Sequence, residues 1–228
     1  MLSLNKIGII SAVKEEVADI LQNRWFEWKD LGKGLHSSPR GVVLSVTGIG
    51  KVHSAYGLAK IIDSVGEIFI VGTSGGLGEE KIGDVYVSTE FVEHDMDAEG
   101  LGCPAGVTPF SYMKSPIISH YEQSMIDRLT EVFSKNNLVL KFARTMSGDQ
   151  FINDQRTIDK KVALFKTQLV DMESAGIAKL CMMEKKPVVA LRYVTDNANH
   201  ESHTSWTENV KHSSKIMNSL VHGYLTLS

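Results

Sequence analysis

Cysteine is scarce in this chain: Cys103 and Cys181 are the two present, far apart and without metal-ligand spacing. The pair forms no disulfide framework and fits a reduced compartment, with Cys181 read as helix core. An excess of positive charge is missing too. The 24 Lys and Arg stand against 27 Asp and Glu, a net charge of -3, which leaves no basic face for nucleic acid and favours a small or neutral ligand. No apolar run approaches membrane-spanning length, so no membrane partner is expected. Residues 1–6 lead directly into a strand without the charged, apolar and cleavage regions of a signal peptide. Linkers, repeats and low-complexity tracts are also lacking, so residues 1–228 are expected to form a single domain with a sizeable core, in the cytoplasm.

What the chain does have is carboxylates at the ends of apolar runs. The run at 168–170 ends in Asp171-Met172-Glu173, the run at 187–194 ends in Thr195-Asp196, and Lys6-Ile7-Gly8-Ile9-Ile10 leads through Ser11-Ala12 to Glu15 and Glu16. Ligands of open α/β sheets bind beyond the carboxyl ends of strands, and the unpaired N–H groups of a helix's first turn favour a carboxylate. Each of these residues could be a plain cap; three such junctions together point to chemistry. The remaining pattern alternates. Strands are expected at 6–11, 42–46, 68–71, 84–88 and 142–147, with a hairpin at 25–40 turning at Gly32 and Gly34. Helices are expected at 15–21, 53–63, 120–134 and 205–225, with two further βα units before the last and an irregular stretch at 94–115. The result is an α/β fold with a central, mostly parallel mixed sheet flanked by helices.

Gly72-Thr73-Ser74-Gly75-Gly76-Leu77-Gly78 reads as a loop after a buried strand, where glycines let backbone N–H groups approach a ligand. It matches neither a dinucleotide fingerprint nor a P-loop, and a simple tight turn is the plainer interpretation, as it is for Gly48-Ile49-Gly50-Lys51. No metal or other cofactor is expected. The eight histidines include no helical His-x-x-x-His pair flanking a glutamate, and His94 beside Asp95 and Asp97 reads as loop structure.

Six segments occur in the order and spacing of one family: residues 6–17, 47–52 and 72–77, Ser147-Gly148-Asp149-Gln150-Phe151-Ile152, Asp171-Met172-Glu173 and Val194-Thr195-Asp196. Nearly end to end, the chain resembles the 5'-methylthioadenosine/S-adenosylhomocysteine nucleosidases of the nucleoside phosphorylase superfamily. The resemblance implies a nucleoside phosphorylase-like fold and an N-ribosyl hydrolase that releases adenine from a purine nucleoside. Adenine anion leaves poorly, so an acid must assist it, and nearby negative charge must support the oxocarbenium-like sugar. The same resemblance implies Asp196 as that acid, at purine N7 and the exocyclic amine, with Thr195 positioning it. Glu173 would bind the ribose hydroxyls, with Met172 packed on the sugar. Glu16 would orient and deprotonate the attacking water, with Glu15 as an exposed neighbour. Arg192 and Thr73 would bind that water or neighbouring oxygens, and Ser74 and Gly75 complete this set. Thr73 departs from the serine common in the family. Phe151 would stack on the purine, backbone groups of Ile152 would read its edge, and Trp206, where phenylalanine is frequent, would line the 5' side.

The superfamily's phosphorylases grip phosphate with arginines after the first strand and before the Gly-(Ser/Thr) segment. Here those places hold Lys14-Glu15-Glu16 and Ile70-Val71, which suits water better than an anion. Residues 94–110 resemble the segment that supplies part of the neighbouring subunit's 5' pocket, so a homodimer is expected. The alternatives are, in order, a futalosine-type nucleosidase, a purine nucleoside phosphorylase and a non-catalytic nucleoside-binding module. The last would not need a water-activating glutamate.

Overall fold

The computed structural model describes residues 6–111, 115–199 and 201–227. The signal-peptide reading at residues 1–5 and the 112–114 part of the irregular stretch lie outside them. In chain order the strands are β1 (Ile7–Ser11), β2 (Lys29–Gly32), β3 (Leu35–Ser38), β4 (Val42–Val46), β5 (Glu67–Gly76), β6 (Val85–Glu93), β7 (Ile117–Ile118), β8 (Lys141–Ser147), β9 (Leu169–Asp171) and β10 (Val188–Asp196). The helices are α1 (Ala18–Gln22), α2 (Lys51–Ala59), α3 (Gln123–Lys135), α4 (Gln155–Phe165), α5 (Ser174–Met183) and α6 (Ser202–Thr226).

The strands form one mixed sheet whose longest ladders, β5 with β10 and β6 with β8, are parallel. Five strands close into a ring. β5 pairs with β10, β10 with β6, β6 with β8, β8 with β9, and β9 returns to β5 at Gly75 and Gly76. β1, β4, β3 and β2 continue outward from β5 as a wing. Thus β5 has β1 on one edge along residues 67–70 and β9 on that same side at its far end. Between those pairings β1 and β9 part, and the gap at their carboxyl ends is where a ligand site belongs.

The central strands β5 and β10 are buried on both faces, so they are apolar at both parities. Ile68 and Ile70 of β5 pack with Leu58, Ala175, Ile177 and Cys181 beneath α2 and α5. Phe69 and Val71 face Leu129, Phe133, Met217, Leu220 and Tyr224 beneath α3 and α6. Cys181 is buried in α5, as expected. No helix of the described residues is long and apolar enough to cross a membrane.

Several boundaries differ from expectation. Residues 72–76 are not a loop but the end of β5, because β10 and β9 supply backbone partners that a local reading cannot foresee. The helix expected at 15–21 begins as a 3-10 turn at Lys14–Val17, before α1. Arg24–Phe26 is a 3-10 turn, so the hairpin strands begin later, at Lys29. α2 starts at Lys51, capped by Gly50 at φ 94°, and ends at Ala59 ahead of a separate turn at Ile62–Ser64. β6 extends to Glu93 along β8. α4 lies in a stretch where no helix was specified, and Asp154 caps it by accepting from Thr157 N.

Candidate active site

A cavity of about 330 Å³ opens at that gap, among the carboxyl ends of β1, β5, β9 and β10. Glu16, Thr73, Ser74, Gly75, Phe151, Ile152, Met172, Glu173, Asp196 and Trp206 all line it. So do Ile49, Gln150, Val170 and His203, which were not singled out as ligand contacts. His203 stands three residues before Trp206 on α6, a helical spacing that puts both on one face.

Glu16 is buried and held on both oxygens. Its Oε1 accepts from Thr73 N and Thr73 Oγ1, each at 2.8 Å, and its Oε2 accepts from Ser11 Oγ at 2.9 Å and, more loosely, from Val13 N at 3.4 Å. A carboxylate oxygen has two lone-pair directions. Oε1 is therefore filled, and the weakly engaged side of Oε2 is the one able to take another donor. Gly72 makes this approach possible, since a Cβ there would lie 2.9 Å from Glu16 Oε1 and 2.4 Å from Arg192 Nη1.

Arg192 is not among the residues that line the cavity. It is only 2% exposed, and its guanidinium is engaged by groups of the protein. Nε forms an ion pair with Asp171 Oδ2 at 3.0 Å, Nη2 donates to Ser174 Oγ at 2.6 Å, and Nη1 donates to the Thr73 carbonyl at 3.4 Å. Arg192 thus braces Asp171, Ser174 and the Thr73 carbonyl beside the cavity. Asp171, to which no separate role was assigned from the sequence, is the hub of this layer. It accepts from Ser147 Oγ at 2.5 Å, from Glu173 N and Ser174 N at 3.1 Å, and from Ser174 Oγ. The signal for this role was the Asp-x-x-Ser spacing at a helix start, which lets one carboxylate cap several N–H groups.

Glu173 sits at the N-cap of α5, buried, with Oε1 accepting from Gly50 N at 2.9 Å. Burial, followed by the negative charge of Asp171, pushes its pKa up to about 7, against the opposing pull of Arg192 and the Gly50 N–H. Asp196 Oδ2 accepts from Thr195 Oγ1 and Oδ1 from Ala198 N, both at 2.9 Å. This fixes its carboxyl at the opposite end of the cavity wall contributed by β10. Phe151 is 55% exposed and Ile152 buried, so the ring of Phe151 is a free apolar face at the mouth. Trp206 is half-buried, and its Nε1 donates to Thr73 Oγ1 at 3.0 Å.

Residues 94–110 are anchored next to this site. Lys51 Nζ bridges Glu93 at 3.4 Å and Asp95 at 2.7 Å; Asp95 accepts from Asp149 N at 2.9 Å, and Asp149 accepts from Lys51 N at 2.8 Å. The segment carrying Phe151 is thereby tied to the start of α2. His94 is buried against Gly148, where a Cβ would meet its Cε1 at 2.4 Å, and burial followed by Lys161 pushes its pKa down to about 4. Among the described residues no three His, Cys, Asp or Glu gather as a metal site.

The Glu173 shift has a stability consequence. The folded protein keeps this proton to about pH 7, whereas the unfolded chain releases it near pH 4.3, roughly the ordinary glutamate value. Glu173 therefore costs the ligand-free protein stability progressively as pH rises between those values. Glu173→Gln, which keeps an acceptor for Gly50 N, is expected to raise Tm above wild type at pH 8 and to match it near pH 4. Thermal melts at both pH values check this; a lower Tm for the variant at pH 8 would contradict it.

Residues 6–226 match the phosphorylase superfamily. The chain is 32% identical to the 5'-methylthioadenosine/S-adenosylhomocysteine nucleosidase of Staphylococcus haemolyticus, over 94% of this chain and 96% of that one. It is 29% identical to the aminodeoxyfutalosine nucleosidase of Helicobacter pylori, over 96% and 98% of the two chains. Among solved structures, a mutant Helicobacter pylori methylthioadenosine nucleosidase with 5'-methylthioadenosine in its active site superposes with a TM-score of 0.87 at 26% identity, over 96% and 97% of the chains. The match over residues 6–226, together with this fold and these relatives, makes the chain a member of the phosphorylase superfamily, among its purine nucleosidases.

Proposed function

We propose that the chain hydrolyses the N-glycosidic bond of 5'-methylthioadenosine, S-adenosylhomocysteine or both, releasing adenine. The observation that carries this reading is the charge of the cavity wall. Glu16, Asp171, Glu173 and Asp196 line it, and among its described lining residues there is no Lys or Arg. Phosphate would meet unscreened repulsion there, whereas neutral water would not. A sugar gaining positive charge is stabilised by the same surroundings.

The roles proposed are those the family resemblance implies, and the geometry supports them. Phe151 offers an apolar face on which a purine stacks, and Ile152 supplies backbone groups beside it. Asp196, held by Thr195 and Ala198, faces the base and donates a proton as the bond breaks. Glu173 accepts from the ribose hydroxyls, and those donors favour its ionised form, so a bound nucleoside makes the site more negative next to the sugar. Met172 packs on the ribose. Glu16 takes a proton from water at the loosely held side of Oε2, while Thr73 fixes Oε1. Ser74 and Gly75 bring the β5 backbone against the ligand. Arg192 acts through Asp171 and Ser174.

The futalosine-type alternative is kept by the similarity to the Helicobacter pylori aminodeoxyfutalosine nucleosidase. Trp206 lines the cavity, and if, as the resemblance implies, it stands at the 5' side, its ring narrows that end. A homodimer in which residues 94–110 approach the neighbouring pocket is consistent with the exposed apolar side chains Leu101 and Phe110 in that segment and Ile49, Val52 and Tyr56 near it.

Adenine release from methylthioadenosine, S-adenosylhomocysteine, aminodeoxyfutalosine and adenosine tests the substrate. The two thioethers are expected to give the highest kcat/KM; preference for aminodeoxyfutalosine would transfer the assignment to the alternative. Asp196→Asn should lower turnover by on the order of 10²-fold or more. The glutamates should fail differently. Glu16→Gln should lose turnover but keep affinity for an uncleavable analogue, while Glu173→Gln should lose both. Calorimetric titration of the two variants checks the split, and the reverse pattern would show the roles to be exchanged or wrong.

A further inference from the structure

Thr73 Oγ1 stands between two groups from different parts of the chain. It is 2.8 Å from Glu16 Oε1 and 3.0 Å from Trp206 Nε1. An indole N–H can only donate and a carboxylate can only accept, so the direction of both bonds is fixed: Trp206 gives to the hydroxyl oxygen and the hydroxyl hydrogen goes to Glu16. The threonine cannot rotate its hydrogen elsewhere without losing one partner, and its branched Cβ restricts χ1 as well. Hydrogen bonds in such a chain polarise one another, and the terminal one is assisted by the carboxylate's charge. The helix bearing Trp206 is itself tied to the sheet, since Asn209 Nδ2 donates to the Thr195 carbonyl at 3.1 Å beside Asp196.

We propose that Trp206 is a positioning residue for the hydrolytic step: through Thr73 it fixes the Oε1 side of Glu16 and so aims Oε2 at the water. This rests on the reading of Glu16 as the group that activates water. Trp206 then has two jobs, since its ring lines the 5' end of the cavity while its N–H orients the carboxylate at the sugar. A merely packing role would act on the binding of the 5' substituent. The role proposed acts on turnover, whatever that substituent is.

Steady-state kinetics with methylthioadenosine and with adenosine separate the two. Trp206→Phe keeps an aromatic ring and removes the N–H. It is expected to lower kcat about three- to tenfold, the range for losing one net hydrogen bond, by the same factor for both nucleosides and with KM changed less than about twofold. Thr73→Val, which removes the hydroxyl but keeps the shape, should lower kcat at least as much. In the Thr73→Val background, Trp206→Phe should then have no further effect on kcat. If Trp206→Phe does not fold, Trp206→Tyr makes the same comparison, because its hydroxyl lies at a different point from the indole N–H. An unchanged kcat, a loss confined to KM, a loss that differs between the nucleosides or a fully additive double variant would each overturn the proposal. Wild-type protein that releases adenine from neither nucleoside would remove the nucleosidase reading itself, and this role with it.

Discussion

The whole site hangs on one buried ion pair. Arg192 and Asp171 meet at 3.0 Å with both side chains about as inaccessible as any in the protein. A buried guanidinium is tolerable only when its charge is paired and its donors are used. Here the donors reach Asp171 at the end of β9, Ser174 on the first turn of α5 and the Thr73 carbonyl on β5, while Asp171 also takes the Ser147 hydroxyl of β8. Four of the five strands of the closed ring, β5, β8, β9 and β10, are thereby joined in a single polar layer directly under the cavity. Loss of one partner would strand the other without compensation, at a cost of about 3–5 kcal/mol. The groups assigned to chemistry are neighbours in sequence of these anchors: Thr73 on β5, Glu173 two residues after Asp171, and Asp196 four residues after Arg192.

Above that layer the electrostatics are one-sided. Arg192, which pairs with Asp171, is not among the lining residues, and the described lining holds four carboxylates and no Lys or Arg. Glu173 records the consequence in the ligand-free state, with a proton retained to about pH 7 by burial and by Asp171. Such a wall is poorly suited to bind an anion and well suited to a neutral nucleophile and a substrate that becomes cationic as its bond lengthens. Reaction type is thus set less by any one residue than by where the positive charge has been placed.

Much of this was legible in sequence because it is encoded locally. The apolar runs leading to Glu16, Glu173 and Asp196 need only strand periodicity and the rule that ligands bind at carboxyl ends; the Phe151-Ile152 pair was legible only through the family resemblance. What could not be read depends on partners remote in the chain. Residues 72–76 looked like a loop because glycine is a poor strand residue, but they are strand because β10 and β9 supply backbone partners, and Gly72 leaves room for Glu16 and Arg192. Arg192 was given a place at the water by the family resemblance alone; its engagement with Asp171, Ser174 and the Thr73 carbonyl depends on partners remote in the chain. The closure of the ring through Gly75 and Gly76, and the bond from Trp206 to Thr73, span 95 and 133 residues and leave no periodic trace.

The central claim is that water, not an anion, attacks the sugar. Proton and phosphorus NMR of methylthioadenosine turnover, run in phosphate-free buffer and again with phosphate in excess, tests it directly. The account predicts free methylthioribose as the sole sugar product in both, at equal rates. A sugar 1-phosphate forming at a rate that rises with phosphate would contradict it.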